Sequence, residues 1–257
     1  MTLGSLRSGR YLLVMALVAA LGASLLAAQR GPAGGTIPRH ADGQPDLHGI
    51  WQSDGKAAAD VQPFVEGRAI PYKPEAEGKK HENQKNRAKA DPLESCFMPG
   101  VPRIMYLSYP YQIFQTKDHI AMTFEWSSVY RLIYLSAKQP KHPGVDSWMG
   151  DSRGRWEGDT LVVDVVGSND RTWFDQAGNY HSDKMRITER YTLTDPDTIQ
   201  YEATITDPEV FSRPWKISMP LRRIKNKQRV LEFQCQAEKE EKSGDFERDP
   251  RTWYPKR

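Results

Sequence analysis

The stretch from Trp148 to Tyr191, WMGDSRGRWEGDTLVVDVVGSNDRTWFDQAGNYHSDKMRITERY, is the part of the chain densest in acids, bases and aromatics. Strand alternation sorts its polar residues, because successive side chains of an extended strand point to opposite faces. Over 161–166, Asp164 shares a face with Val162 and Val166, so it is an acid on an otherwise apolar face. Over 185–191, Glu189 falls with Met185, Ile187 and Tyr191 and points with the hydrophobic set. Arg131 lies in 130–135, where both faces are apolar. A charge turned inward needs a partner or a shifted pKa. One expectation is therefore a structural ion network joining Arg131 to Glu189 or Asp164. The other is acid–base chemistry, with Glu189 or Asp164 moving a proton, His181 beside it, and Arg131 stabilising developing negative charge.

Aromatics supply the other half of a candidate site. Trp148, Trp173 and Phe174 fall in connections between strands, and with Tyr130 and Trp156 they suit a pocket for an apolar or ring-shaped ligand. Asn169 and Asp170 would orient the polar part of such a ligand, or else simply form a turn. There is no Gly-x-Ser-x-Gly elbow, phosphate loop, dinucleotide fingerprint or His-Glu-x-x-His. The six histidines (40, 48, 81, 119, 142, 181) are scattered. No metal and no other cofactor is expected.

The elements that must position these residues read as a β meander. Runs of β-branched and aromatic residues recur at 111–116, 119–126, 129–136, 154–157, 160–166, 185–192, 198–206, 215–224 and 229–236. Several links have only two or three residues, which join antiparallel neighbours. An all-β fold follows: an antiparallel up-and-down barrel of calycin-like type, with a sandwich as the alternative. Gly49-Ile50-Trp51 resembles the Gly-x-Trp of the first lipocalin strand, although Gly154-Arg155-Trp156 matches it too. The barrel is placed at 93–237, after an extended arm at 29–92 that carries a surface helix over 74–90. A charged tail covers 238–257. The connections 137–152 and 167–184 are expected to lie over one end of the barrel, where sites tend to sit.

Compartment and charge follow from the first 28 residues. Arg7 and Arg10 precede an uncharged run from Tyr11 to Ala28, the pattern of a secretory signal peptide, with an uncleaved anchor as the alternative. Cleavage near Ala28 would remove two bases and no acid, leaving 34 bases against 33 acids and a net charge of +1. That balance offers no argument for nucleic acid or an anionic membrane as partner, so a small molecule is the expected partner. The sequence is silent on oligomeric state. In an oxidising compartment Cys96 and Cys235 are expected to pair, two unpaired buried thiols being the alternative.

Longer motifs add a resemblance. GQPDLHGIWQ at 43–52, CFMPGVPRIMYLSYPYQIFQT at 96–116, the 148–192 stretch and DTIQYEATITDPEVFSRPWKISMPL at 197–221 resemble a widespread group of secreted bacterial proteins. Its pattern runs G-x-PDL-x-G-x-W, then GRWEGDTLVVD, ND, HS and ER. The resemblance implies secretion and a shared β-rich fold, and carries no reaction with it. This chain departs from the pattern at Gly167-Ser168, where the group has an aromatic before Asn-Asp. Three functions follow in order of preference. The first is a secreted or periplasmic barrel binding a small, partly apolar ligand in its lumen or under its loops. The second is a cofactor-independent acid–base enzyme (isomerase, cyclase, lyase or hydrolase) on the same scaffold. The third is a structural or interaction protein of the envelope.

Overall fold

A computed structural model describes residues 35–136 and 144–243. The expected signal peptide at 1–28, His142 and the tail beyond residue 243 lie outside the described residues. The chain divides into two units, Met1–Thr36 and Ile37–Arg257. Only residues 35 and 36 of the first are described, and the second holds every described strand and helix.

Nine strands close into one barrel, in which strand order follows chain order. They are β1 Gly49–Gln52, β2 Tyr111–Gln115, β3 His119–Phe124, β4 Tyr130–Tyr134, β5 Asp151–Glu157, β6 Thr160–Val166, β7 Arg186–Asp195, β8 Thr198–Thr206 and β9 Trp215–Arg223. The helices are α1 Lys56–Ala59, α2 Pro74–Lys85, α3 Arg87–Ala90 and α4 Cys235–Ser243. The barrel, not the sandwich, is the architecture.

Two departures from the sequence reading share one cause. The run at 229–236 forms no strand: it makes a single bridge, Phe233 to Trp126, and then enters α4. The ninth strand comes instead from the N-terminal arm. β1 pairs with β2 on one side and with β9 on the other, so no edge remains for a further strand. A closed sheet removes its own edges. Trp51, fully buried, anchors this closure: its indole donates to the Leu47 carbonyl at 2.9 Å, and the Arg223 guanidinium lies 4.2 Å over its ring.

The meander is antiparallel with one exception. β4 and β5 run parallel and pair only at Ile133 with Ser152 and Tyr134 with Arg153. A parallel neighbour needs more intervening chain than a hairpin turn gives, and sixteen residues separate β4 from β5. The lumen is filled. Ile187, Tyr191, Tyr201, Ile205, Ile217 and Leu221 point inward from β7–β9, facing Leu161, Val163 and Val165 of β6. A short 3-10 turn, Arg103–Tyr106, is wholly buried among them. Cys96 and Cys235, 139 residues apart in sequence, form a disulfide with Cα atoms 5.5 Å apart. α2 has a single buried residue, Ala76, and is the solvated helix its composition predicts. Among the described residues no helix is long and apolar enough to cross a membrane.

Candidate functional site

Alternation along β7 sends Glu189 into the lumen, where it is fully buried. Its cross-strand row reads Gly154, Val163, Glu189, Ala203, Ile217. At that level the missing side chain of Gly154 makes space for the methyl groups of Ile133 and Leu135. Arg131 of β4 meets Glu189 through both terminal nitrogens: Nη1 donates to Oε1 at 3.1 Å and Nη2 to Oε2. The hydroxyls of Tyr191 and Tyr201 donate to the same Oε1 at 2.9 and 2.8 Å. Arg131 Nε donates to Ser152 Oγ at 3.0 Å, and its Nη1 reaches Tyr191 Oη at 3.1 Å and Met105 Sδ at 3.8 Å. Burial works against the charged guanidinium, yet the adjacent Glu189 carboxylate raises the Arg131 pKa above its ordinary value. Burial and the same carboxylate raise the pKa of Tyr191 and of Tyr201.

The structure thus brings together Arg131 and Glu189 and leaves the other two expected proton carriers elsewhere. Asp164 stands on the outer wall, half-exposed, where it accepts from Arg155 at 2.6 Å and from Thr188 at 2.8 Å. Its apolar face-mate Val162 is buried, and register places it between Arg155 and Arg190. Glu157 bridges those same two arginines, and Asp159 pairs with Arg39. The charged members of this motif therefore brace the outside of the sheet.

His181 belongs to a separate buried cluster. Its Nδ1 donates to the Ser182 carbonyl at 2.9 Å, so its Nε2 is the acceptor for the Thr172 hydroxyl at 2.6 Å. The ring lies against Phe174, and burial lowers its pKa from the ordinary histidine range. Asp175, fully buried nearby, accepts from the Val61 and Asn179 backbones and from the Asn179 amide; burial raises its pKa. Phe174 packs edge-on against Trp215, and Trp173 pairs with Tyr180 across a bridge. The connection 167–184 is consequently core, tied to α1 and α2, and offers no pocket at Trp173 or Phe174. Asn169 accepts from the Arg171 amide in a turn and Asp170 is exposed. Trp156 sits at the β5–β6 hairpin end, packed on the core.

One open space lies at the β4–β5 seam, and another of about 590 Å³ lies where β6 ends and β7 begins, lined by Asp146, Gly167, Asp183, Lys184 and Arg186. Where β4 and β5 diverge, a cleft of about 620 Å³ cuts into the barrel wall. Tyr130, Val145, Met98 and Trp148 stand at its mouth, with Tyr130 76% exposed. Phe97, itself exposed, stacks on Trp148 with ring centroids 5.1 Å apart. The buried Arg131 and Ser152 form the closed end, which joins the cleft to the Glu189 cluster. Arg153 pairs with Asp151 on one side and lies 5.3 Å over the Tyr134 ring. Of the expected ligand-binding residues, Tyr130 and Trp148 line this cleft. Sequence reading did not single out Met98, Val145 or Ser152, because a parallel seam between two consecutive strands leaves no local pattern. It also missed the buried pair Asp91–Arg103, two contacts of 2.7 Å across the boundary between the expected arm and the expected barrel. Tyr191 and Tyr201 were legible in principle, since each shares inward parity with its neighbours.

No known family model matches the chain, and no curated protein is similar to it. Among solved structures it is similar to a mutant of the fluorescent protein UnaG, at 12% identity and a TM-score of 0.31. That similarity covers 70% of this chain and 97% of the other. The site is therefore read from its own geometry. Among the described residues no group of three or more His, Cys, Asp or Glu gathers as for a metal.

Proposed function

We propose that this protein is exported and binds a small, partly apolar molecule in the cleft between β4 and β5. The observation that carries this reading is the cleft itself. Its volume is within the range of small-molecule sites, its mouth is built from aromatic and aliphatic side chains left exposed, and its closed end is polar. Exposed apolar side chains grouped around a concavity mark a binding surface more often than isolated ones do.

The cluster at the closed end supports binding over acid–base turnover. Glu189 has no exposure, and its two oxygens already accept from Arg131, Tyr191 and Tyr201. A general base must reach its proton directly or through one water. His181 and Asp164 have partners of their own in other places.

Nile red, an uncharged aromatic dye whose emission rises on leaving water, tests the reading. It is expected to bind the full chain, and Trp148→Ala is expected to weaken binding about fivefold through loss of one aromatic contact. Trp156→Ala, which does not touch the cleft, is expected to leave binding unchanged. Absence of binding, or equal effects of the two variants, overturns the cleft as the site. Export is tested by sequencing the N-terminus of the protein recovered outside the cytoplasm: a start near Gln29 supports it, and a start at Met1 overturns it.

A further inference from the structure

The closed end of the cleft has a chemistry of its own, which narrows the ligand. In the β3–β4 ladder, Phe124 donates to the Val129 carbonyl and Leu135 to that of Asp118. With Met122 opposite Arg131 and Ile120 opposite Ile133, this phase turns the peptide groups of residues 129, 131, 133 and 135 toward β3. Those of Tyr130 and Leu132 face the other edge. There β5 pairs only with Ile133 and Tyr134. The Leu132 N–H and both backbone groups of Tyr130 therefore open onto the cleft without a backbone partner among the described residues.

Ser152 closes the same end from the β5 side. Its Oγ accepts from Arg131 Nε at 3.0 Å, which leaves its own hydroxyl hydrogen with no acceptor among the described residues. The serine is 2% exposed and lines the cleft. A buried donor without an acceptor costs free energy until one is supplied. The charges nearby are already matched: Arg131 by Glu189, and Arg153 by Asp151. What remains for a ligand is neutral: the Ser152 hydroxyl and the Leu132 amide as donors at the closed end, and the backbone groups of Tyr130 at the exposed mouth.

Resting on the cleft reading, we infer that the ligand is an uncharged ring-containing molecule bearing a carbonyl-type acceptor, received by the Ser152 hydroxyl and the Leu132 amide. Its ring system lies against Trp148, Met98 and Tyr130. An anion is disfavoured, because every guanidinium at the site is committed to a carboxylate.

Two probes with one ring framework test this: 1-tetralone, which has the carbonyl, and tetralin, which lacks it. Their affinities for the full chain are measured by ligand-observed NMR titration. 1-Tetralone is expected to bind about three- to tenfold more tightly, the range for one or two neutral hydrogen bonds. Ser152→Ala should reduce that ratio, and Ser152→Thr, which keeps a hydroxyl, should restore it. Trp148→Ala should weaken both probes and leave the ratio intact. Equal affinity of the two probes for the wild-type chain overturns the acceptor assignment while the cleft reading stands. Failure of both probes to bind overturns the cleft reading, and this inference with it. An unchanged ratio in Ser152→Ala overturns the role of Ser152. The wild-type comparison needs no variant, so it decides even if Ser152→Ala does not fold.

Discussion

Glu189 is buried beneath four donated hydrogen bonds, and what a substitution there costs depends on what it leaves behind. Glu189→Gln would strand the Arg131 charge in the lumen, and a broken buried pair costs about 3–5 kcal/mol. Urea unfolding should show that loss. The double variant Arg131→Met/Glu189→Leu should recover most of it, because no unpaired charge remains. His181 sets a pH dependence. Its folded pKa lies below the ordinary value of 6.5 because the ring is desolvated. As pH falls below 6.5 the unfolded chain takes up a proton that the folded chain refuses, so stability declines, by at most about 1.4 kcal/mol per pH unit. His181→Gln should flatten that slope in denaturation measured from pH 7 to 5. Asp175 works in the opposite sense. Its carboxyl is raised above 3.8, so the folded chain takes the proton first and acidification in that lower window favours folding. Single residues also show where parity was enough and where it was not. Alternation put Glu189 inside correctly, whereas Asp164 has the same apolar company in sequence and stands outside, where it pairs with Arg155 and Thr188.

At the scale of elements the parallel seam is the decisive feature. β5 packs against β4 at Gly154, where an added Cβ would sit 2.7 Å from a Leu135 methyl and 2.8 Å from an Ile133 methyl. Gly154→Ala is therefore expected to cost about 1–3 kcal/mol as an overpacked core position, read as a lowered Tm. The strands themselves were largely legible, since eight of the nine expected runs overlap observed strands. The failure at 229–236 came from composition: β-branched and aromatic residues there suit a strand, but a barrel already closed by β1 and β9 has no edge to pair with. That segment is held instead by Glu125, which accepts from Lys227 and from the Leu231 amide. The connection 167–184 was expected to roof a pocket. Its middle, with buried Thr172, Asp175, Asn179 and His181, is part of the core, while its ends at Gly167, Asp183 and Lys184 line a hollow of about 590 Å³.

For the whole molecule, closure joins elements far apart in the chain. The Cys96–Cys235 disulfide reinforces this by tying the segment before β2 to α4. Replacing both cysteines with serine is expected to lower stability by about 2–5 kcal/mol, measured by urea unfolding with the wild type oxidised. If the thiols were merely buried and unpaired, a reducing agent would leave the wild-type midpoint unmoved. A reduction-sensitive midpoint supports the clasp.

Period-two alternation and short turns were enough to determine that this chain builds an antiparallel β meander with Glu189 turned inward, because those properties are local and repeat along each strand; Arg131, in a strand apolar on both faces, was marked only as a charge needing a partner. Tertiary structure alone decided that β1 completes the barrel, that Glu189 pairs with Arg131 and not with Asp164 or His181, and that a cleft with an apolar mouth opens at a seam in the wall. Each of these depends on which distant strands become neighbours, and on how much volume their side chains fill once they meet.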